Sequence, residues 1–176
     1  IYVNEAFSVS HREHASIIGV PKLLPSYAGI RFAEEFEKLS KAFNPPHPFL
    51  ILLGGAKIET KLPLVEKFSK IADTIFIGGA MAVKAAELDL QGKFGVLFPT
   101  GDLAALDANT ETLRLLKAKI IEARFTVWNG PLGKYESGYT QYTNELAQAL
   151  AEAPGEVIIG GGDTLAAIQS LNILDK

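Results

Sequence analysis

The chain has 176 residues and a formal net charge of −3, enough for one domain of ordinary size at about 100 to 200 residues per domain and too short for a large multi-domain machine. With 48% hydrophobic and 21% charged residues it is not a disordered chain, and a pI near 5.7 leaves no net positive field to draw nucleic acid or an anionic membrane. The lack of cysteine excludes disulfides, Cys-based zinc sites and a thiol nucleophile.

In chain order, Ile1-Tyr2-Val3 reads as a strand already under way, which predicts a piece of a longer chain. No stretch approaches the roughly 20 apolar residues of a membrane span, and no basic start with an apolar core marks a signal peptide, so a cytoplasmic location is expected. The first 20 or so residues follow no regular alternation. They hold His11-Arg12-Glu13-His14-Ala15-Ser16. Two histidines three apart lack a third metal ligand, whereas Arg12 can fork onto a phosphate or carboxylate with His11 donating a further bond. An ordinary exposed polar turn is the plain alternative.

Phe32, Phe36, Leu39 and Phe43 recur at helical spacing, predicting an amphipathic helix over 26–43 with Ser26 as its cap and Pro45-Pro46 as its stop. The proline-rich stretch 44–48 then reads as a stiff linker. Beyond it, five short apolar runs, 49–53, 74–77, 96–98, 125–128 and 156–159, have the length of strands and no polar alternation, as in strands covered on both faces. Helical patterns lie between and after them: Leu64, Phe68, Ile71; residues 81–88; Leu113, Leu116, Ile120; residues 146–150; and 165–171. The alternation predicts an α/β protein with a Rossmann-like, three-layer α/β/α open parallel sheet, in which ligands bind beyond the carboxyl ends of the strands.

Four of the five runs end in glycine: Gly54-Gly55, Gly78-Gly79, Asn129-Gly130-Pro131 and Gly160-Gly161-Gly162. The last precedes Asp163-Thr164 and a helix, an arrangement in which backbone N–H groups approach a phosphate and an aspartate anchors Mg²⁺ beside it. A tight turn with Asp163 as a helix cap is the plain alternative. Gly54-Gly55-Ala56-Lys57-Ile58-Glu59-Thr60-Lys61 puts two lysines four apart on one helical face, each a point charge for a phosphate, without being a Walker P-loop. The bland alternative is a pair of solvated lysines. In Trp128-Asn129-Gly130-Pro131-Leu132-Gly133-Lys134-Tyr135-Glu136, Trp128 is expected in the core and Glu136 can accept hydrogen bonds from a ribose, though a solvated carboxylate is the commoner fate of a glutamate.

These segments, in this order, resemble the phosphoglycerate kinase family: Val3-Asn4-Glu5-Ala6-Phe7, His11-Arg12-Glu13-His14-Ala15-Ser16, Leu24-Pro25-Ser26, Leu53-Gly54-Gly55-Ala56-Lys57, Ile77-Gly78-Gly79-Ala80-Met81-Ala82, Val127-Trp128-Asn129-Gly130-Pro131 and Ile158-Ile159-Gly160-Gly161-Gly162-Asp163-Thr164. The resemblance implies phosphoryl transfer between 1,3-bisphosphoglycerate and ADP, giving 3-phosphoglycerate and ATP, with Mg²⁺ and two closing domains, in a cytoplasmic monomer of glycolysis. By matching positions, it implies that Lys57 and Lys61 contact the nucleotide phosphates and steady the moving group, and that Gly55 and Gly79 line the nucleotide pocket. Leu132 and Glu136 would meet the nucleoside, Asp163 would help hold Mg²⁺, Gly162 and Thr164 would present the helix start to phosphate, and His11 and Arg12 would face phosphoglycerate. The implied domains are a remnant of the phosphoglycerate-binding domain over 1–25, an interdomain helix over 26–44 and the nucleotide-binding domain over 45–176, lacking its C-terminal end.

The departures are specific. Ala80 stands in place of a third glycine, Ala105 in place of the glycine of Gly-Leu-Asp, and Asp107-Ala108-Asn109 in place of Asp-Ile-Gly. The stretch 88–106 is short for the family. The family's earlier arginines and its Asp-x-Asn segment have no counterpart, nor does its later Gly-Gly-Gly-Ala segment, so the chain is expected to bind Mg-nucleotide and to show little or no turnover by itself. A non-catalytic nucleotide-binding or interaction module of the same fold is the competing expectation, and an unrelated sugar-phosphate-binding α/β domain is a third.

Overall fold

The computed structural model describes residues 1–56, 58–90 and 95–173. The chain divides into two compact units, Ile1–Asn44 and Pro45–Lys176.

In the first unit, β1 (Tyr2–Asn4) pairs in parallel with β2 (Ser26–Ala28), Tyr2 opposite Ser26 and Asn4 opposite Ala28. Helix α1 (Ile30–Ser40) follows, with a 3₁₀ turn Lys41–Phe43 at its end. This corrects the expectation of one helix over 26–43 capped by Ser26: residues 26–28 are recruited into a strand by a partner more than twenty residues upstream. The N-cap is Gly29, which has no side chain with which to cap. Glu5 supplies the missing acceptor from β1's far end, its Oε2 taking the Phe32 N–H at 3.1 Å, where a carboxylate also meets the positive end of the helix. Phe7 packs edge-on to Phe32 and Phe36, with ring centroids 5.2 and 6.5 Å away.

The second unit is built on a five-stranded, wholly parallel sheet. β3 (Phe49–Leu53), β4 (Thr74–Ile77), β5 (Val96–Leu97), β6 (Phe125–Asn129) and β7 (Glu156–Gly160) stand in the order β5-β4-β3-β6-β7. Between and after them run α2 (Ile58–Phe68), α3 (Met81–Glu87), α4 (Thr110–Glu122), α5 (Gln141–Ala151) and α6 (Gly162–Ile168). The chain starts at the centre with β3, winds outward through β4 and β5, then returns to the other side of β3 for β6 and β7. Such a reversal leaves a crevice where the connections diverge, here between β3 and β6.

All five residues of β3 are buried, which explains why its sequence is apolar on both faces. Leu50 and Leu52 join Phe76, Trp128, Leu113 and Leu116 of α4, Leu146 and Leu150 of α5 and Ile168 of α6 in one cluster. The alternate residue Phe49 packs against Phe68 of α2, 6.0 Å between centroids, so α2 lies on the opposite face. Thus the three layers expected from the sequence are present. Asn109 caps α4, its side-chain oxygen accepting the Thr112 N–H at 2.8 Å. No helix among the described residues is long and apolar enough to cross a membrane.

Candidate functional site

The crevice between β3 and β6 is closed at its floor by two backbones in direct contact. Gly54 N–H donates to the Asn129 carbonyl at 2.9 Å, and Gly55 N–H donates to that of Pro131 at 3.0 Å. A Cβ on Gly54 would run into the carbonyls of Gly130 and Pro131, and one on Gly130 into Gly54. These two glycines serve the packing of two loops. Gly55 differs: nothing lies within 4 Å of where its Cβ would be, so its backbone faces open space.

That space is a cavity of about 550 Å³, within the roughly 300 to 1,000 Å³ of small-molecule sites. Gly55, Gly79, Leu132, Glu136 and Asp163 all line it, five of the residues expected from the resemblance. One part is aliphatic, with Ala80, Val83, Ala104, Ala105 and Leu106 in the wall. Ala80 has φ −63°, an ordinary helical value, so its methyl costs the backbone nothing and adds apolar surface. The Ala105 methyl does the same opposite.

Glu136 and Asp163 add carboxylates to the lining, and beyond Asp163, outside the lining itself, stands Lys61, whose charge Asp163 feels. Lys61, in α2, donates from Nζ to Asn129 Oδ1 at the end of β6. Its ammonium is held below the usual lysine range by burial, with the negative charge of Asp163 acting in the opposite direction. A half-buried cation short of counter-charge is a site that gains by meeting an anion. Gly162 is open, with nothing within 4 Å of its Cβ position. Thr164 is fully buried and its hydroxyl is committed to the loops, accepting Gly130 N–H at 2.7 Å and donating to the Gly160 carbonyl at 2.9 Å. It braces the junction of the β6 and β7 ends.

Asp163 lies exposed in the first turn of α6. Among the described residues, no three His, Asp or Glu side chains converge into a metal cage. A single exposed carboxylate in the wall of a cavity fits Mg²⁺, which keeps several waters and shares phosphate oxygens with one or two carboxylates. Tyr135 reaches Asp163 with its hydroxyl, 3.4 Å from Oδ1; loss of solvation first, then the charges of Asp163 and Glu136, push that phenol above its ordinary range.

Sequence reasoning assigned no role to three of these residues. Asn129 was legible only as a turn former beside glycine. Tyr135 was one aromatic in a loop. Thr143, fully buried in α5, accepts the Leu132 N–H at 3.0 Å and the Gly133 N–H at 3.3 Å, fixing the loop that carries Leu132 and Glu136. Lys57 lies outside the described residues. His11 and Arg12 belong to the first unit, both exposed, with Arg12 Nε 3.5 Å from His11 Nε2.

Comparison with known proteins is consistent across sequence and structure. The family model described as phosphoglycerate kinase matches residues 1–93 and 94–176. A phosphoglycerate kinase of Roseiflexus castenholzii is 33% identical over 225 residues, spanning 100% of this chain and 57% of its own length. That of Finegoldia magna is 32% identical with the same coverage. The chain therefore spans a little over half the length of the curated relatives it matches. The aligned stretch of 225 residues exceeds the 176 of this chain, and the two matched pieces meet at 93 and 94, which fall between α3 and β5 in the sequence. Among solved structures, a phosphoglycerate kinase from Coxiella burnetii superposes with a TM-score of 0.81 at 28% identity, covering 96% of this chain and 56% of that one. The enzyme from Pyrococcus horikoshii, at 24% identity and a TM-score of 0.82, shares the fold.

Proposed function

We propose, from the premise that this chain belongs to the phosphoglycerate kinase family, that its second unit is the Mg-nucleotide-binding part of an enzyme that moves a phosphoryl group between 1,3-bisphosphoglycerate and ADP. The observation that carries this is a cavity lined by aliphatic residues together with Glu136 and Asp163, with Lys61 coupled to Asp163. An aliphatic wall suits a flat, apolar base, and the carboxylate of Asp163 in the lining, with the half-buried Lys61 coupled to it, suits a Mg²⁺-bound phosphate chain.

In this reading Leu132 and the alanines contact the base and exposed Glu136 takes the ribose hydroxyls. The phosphates lie over the bare backbones of Gly55 and Gly162, close to Lys61. Lys61 and Asn129 act electrostatically, holding charge that spreads over the phosphoryl oxygens in the transition state, with no covalent bond to the protein. Lys57 stands beside the same glycines in the sequence and is assigned the same work. Asp163 would hold Mg²⁺, which when bound neutralises phosphate charge. Residues 1–25 are assigned to the phosphoglycerate-binding side, with His11 and Arg12 as anion ligands, and α1 to the connection between domains; the active enzyme is taken as a cytoplasmic monomer.

Calorimetry tests the reading. MgADP titrated into the chain is expected to bind, and Lys61→Ala to weaken binding by about tenfold or more, the loss of one charge-assisted phosphate contact. A folded chain that gives no heat with MgADP, or a variant that binds as tightly as the parent, contradicts it.

A further inference from the structure

Two parts of the assigned site are joined through one side chain. Tyr135 opens the short 3₁₀ turn Tyr135–Ser137, directly before Glu136, on the arm assigned above to the nucleoside. Its ring is half-buried and its hydroxyl donates to Oδ1 of Asp163, assigned above to Mg²⁺. Both residues line the cavity. The carboxylate makes no ion pair among the described residues, and this contact, at 3.4 Å, is the hydrogen bond its Oδ1 accepts. Oδ2 remains for another partner.

A carboxylate that binds a cation does so best when a second group already holds it in orientation, because the ordering cost is then met before the cation arrives. We propose that Tyr135 is a positioning residue for the Asp163 metal site: its hydroxyl holds Oδ1 and leaves Oδ2 facing the cation, so that the arm at the nucleoside and the cation at the phosphates are energetically linked. The inference rests on the nucleotide reading above and adds to it a residue that touches neither phosphate nor metal. Reciprocity follows: whatever seats the arm strengthens the cation site, and cation binding in turn steadies the arm.

The experiment is a calorimetric titration of ADP into the chain, once with chelator and once with saturating Mg²⁺, for the parent, Tyr135→Phe, Asp163→Asn and the double variant. The phenylalanine keeps the ring and removes only the hydroxyl. Tyr135→Phe is expected to leave the Mg²⁺-free dissociation constant within about twofold, while the tightening produced by Mg²⁺ shrinks by about three- to tenfold. On top of Asp163→Asn the same change should add nothing, since its effect passes through that carboxylate. A merely structural role would weaken ADP equally with and without Mg²⁺, or add its effect independently in the double variant; either result overturns the proposal, as does an unchanged Mg²⁺ response. If the parent binds no ADP under either condition, the nucleotide reading falls and takes this inference with it; if the parent responds to Mg²⁺ and Tyr135→Phe responds identically, only this inference falls.

Discussion

The two units obey different rules. In the second, apolar side chains point inward, and Phe49, Phe76, Phe125 and Trp128 are fully buried. In the first, Leu23, Ile30 and Phe36 are 83%, 77% and 59% exposed, and neither α1 nor the strands bury a hydrophobic side chain. One unit is held by a core. The other is held by a short parallel ladder, a borrowed carboxylate on α1 and a set of aromatic edges. Hydrophobic burial is the largest favourable contribution to folding, so stability should reside in the second unit, and damage to the first should register weakly.

Three substitutions sharpen that contrast. The largest effect is expected from Trp128→Ala, which empties the centre of the core and leaves the Gly130 carbonyl without the indole N–H that reaches it at 2.8 Å. A loss of about 3 to 5 kcal/mol is expected from urea unfolding, close to the whole stability of many domains.

An intermediate effect is expected from Asp73→Asn. Asp73 Oδ2 accepts the Phe49 N–H and contacts His47 Nδ1, both at 2.6 Å, tying the start of β3 to the residue before β4. Burial alone would raise this carboxyl, but the bonds from Phe49 and His47 outweigh it and hold the group below the ordinary aspartate range. A depressed native pKa stabilises above the unfolded value, about 3.9, and the benefit is lost as pH falls through the native one. The parent should therefore exceed the variant by about 1 kcal/mol at neutral pH, with solvent screening of a side chain 47% exposed keeping the figure small. The gap should close in acid; a gap that persists unchanged at low pH assigns it to something other than charge.

The smallest effect is expected from Phe36→Ala in α1, within about 0.5 kcal/mol by the same unfolding measurement. A loss comparable to that of Trp128→Ala would erase the distinction between the units.

The same distinction separates what the sequence made legible from what it did not. Strands β3 and β4 could be read to the residue, because runs such as Phe-Leu-Ile-Leu-Leu are bounded by glycine or proline and owe their character to burial on both faces. Ser26 could not: its strand exists only through pairing with Tyr2, and a window along the chain sees neither that partner nor the Glu5 cap that starts α1. Around the candidate site, the glycine clusters serve two different purposes. Gly55 opens onto the cavity and Gly162 onto unobstructed space, whereas Gly54 and Gly130 let two backbones touch. Of the two lysines beside glycine, Lys61 is half-buried and hydrogen-bonded to Asn129, a position that spacing along the chain does not reveal. Asn129, Tyr135 and Thr143 were hidden because each acts through a neighbour brought close by the fold, on Lys61, Asp163 and the Leu132 loop respectively.

The central claim is that a nucleotide occupies the carboxyl ends of β3, β6 and β7 in the second unit. Amide hydrogen exchange with and without MgADP tests it most directly, since it reports each loop separately in one sample. The account predicts slowed exchange over 54–56, 129–136 and 160–164 on adding MgADP, with 7–24 unchanged. Protection confined to the first unit, or none anywhere in a folded chain at saturating MgADP, would contradict it.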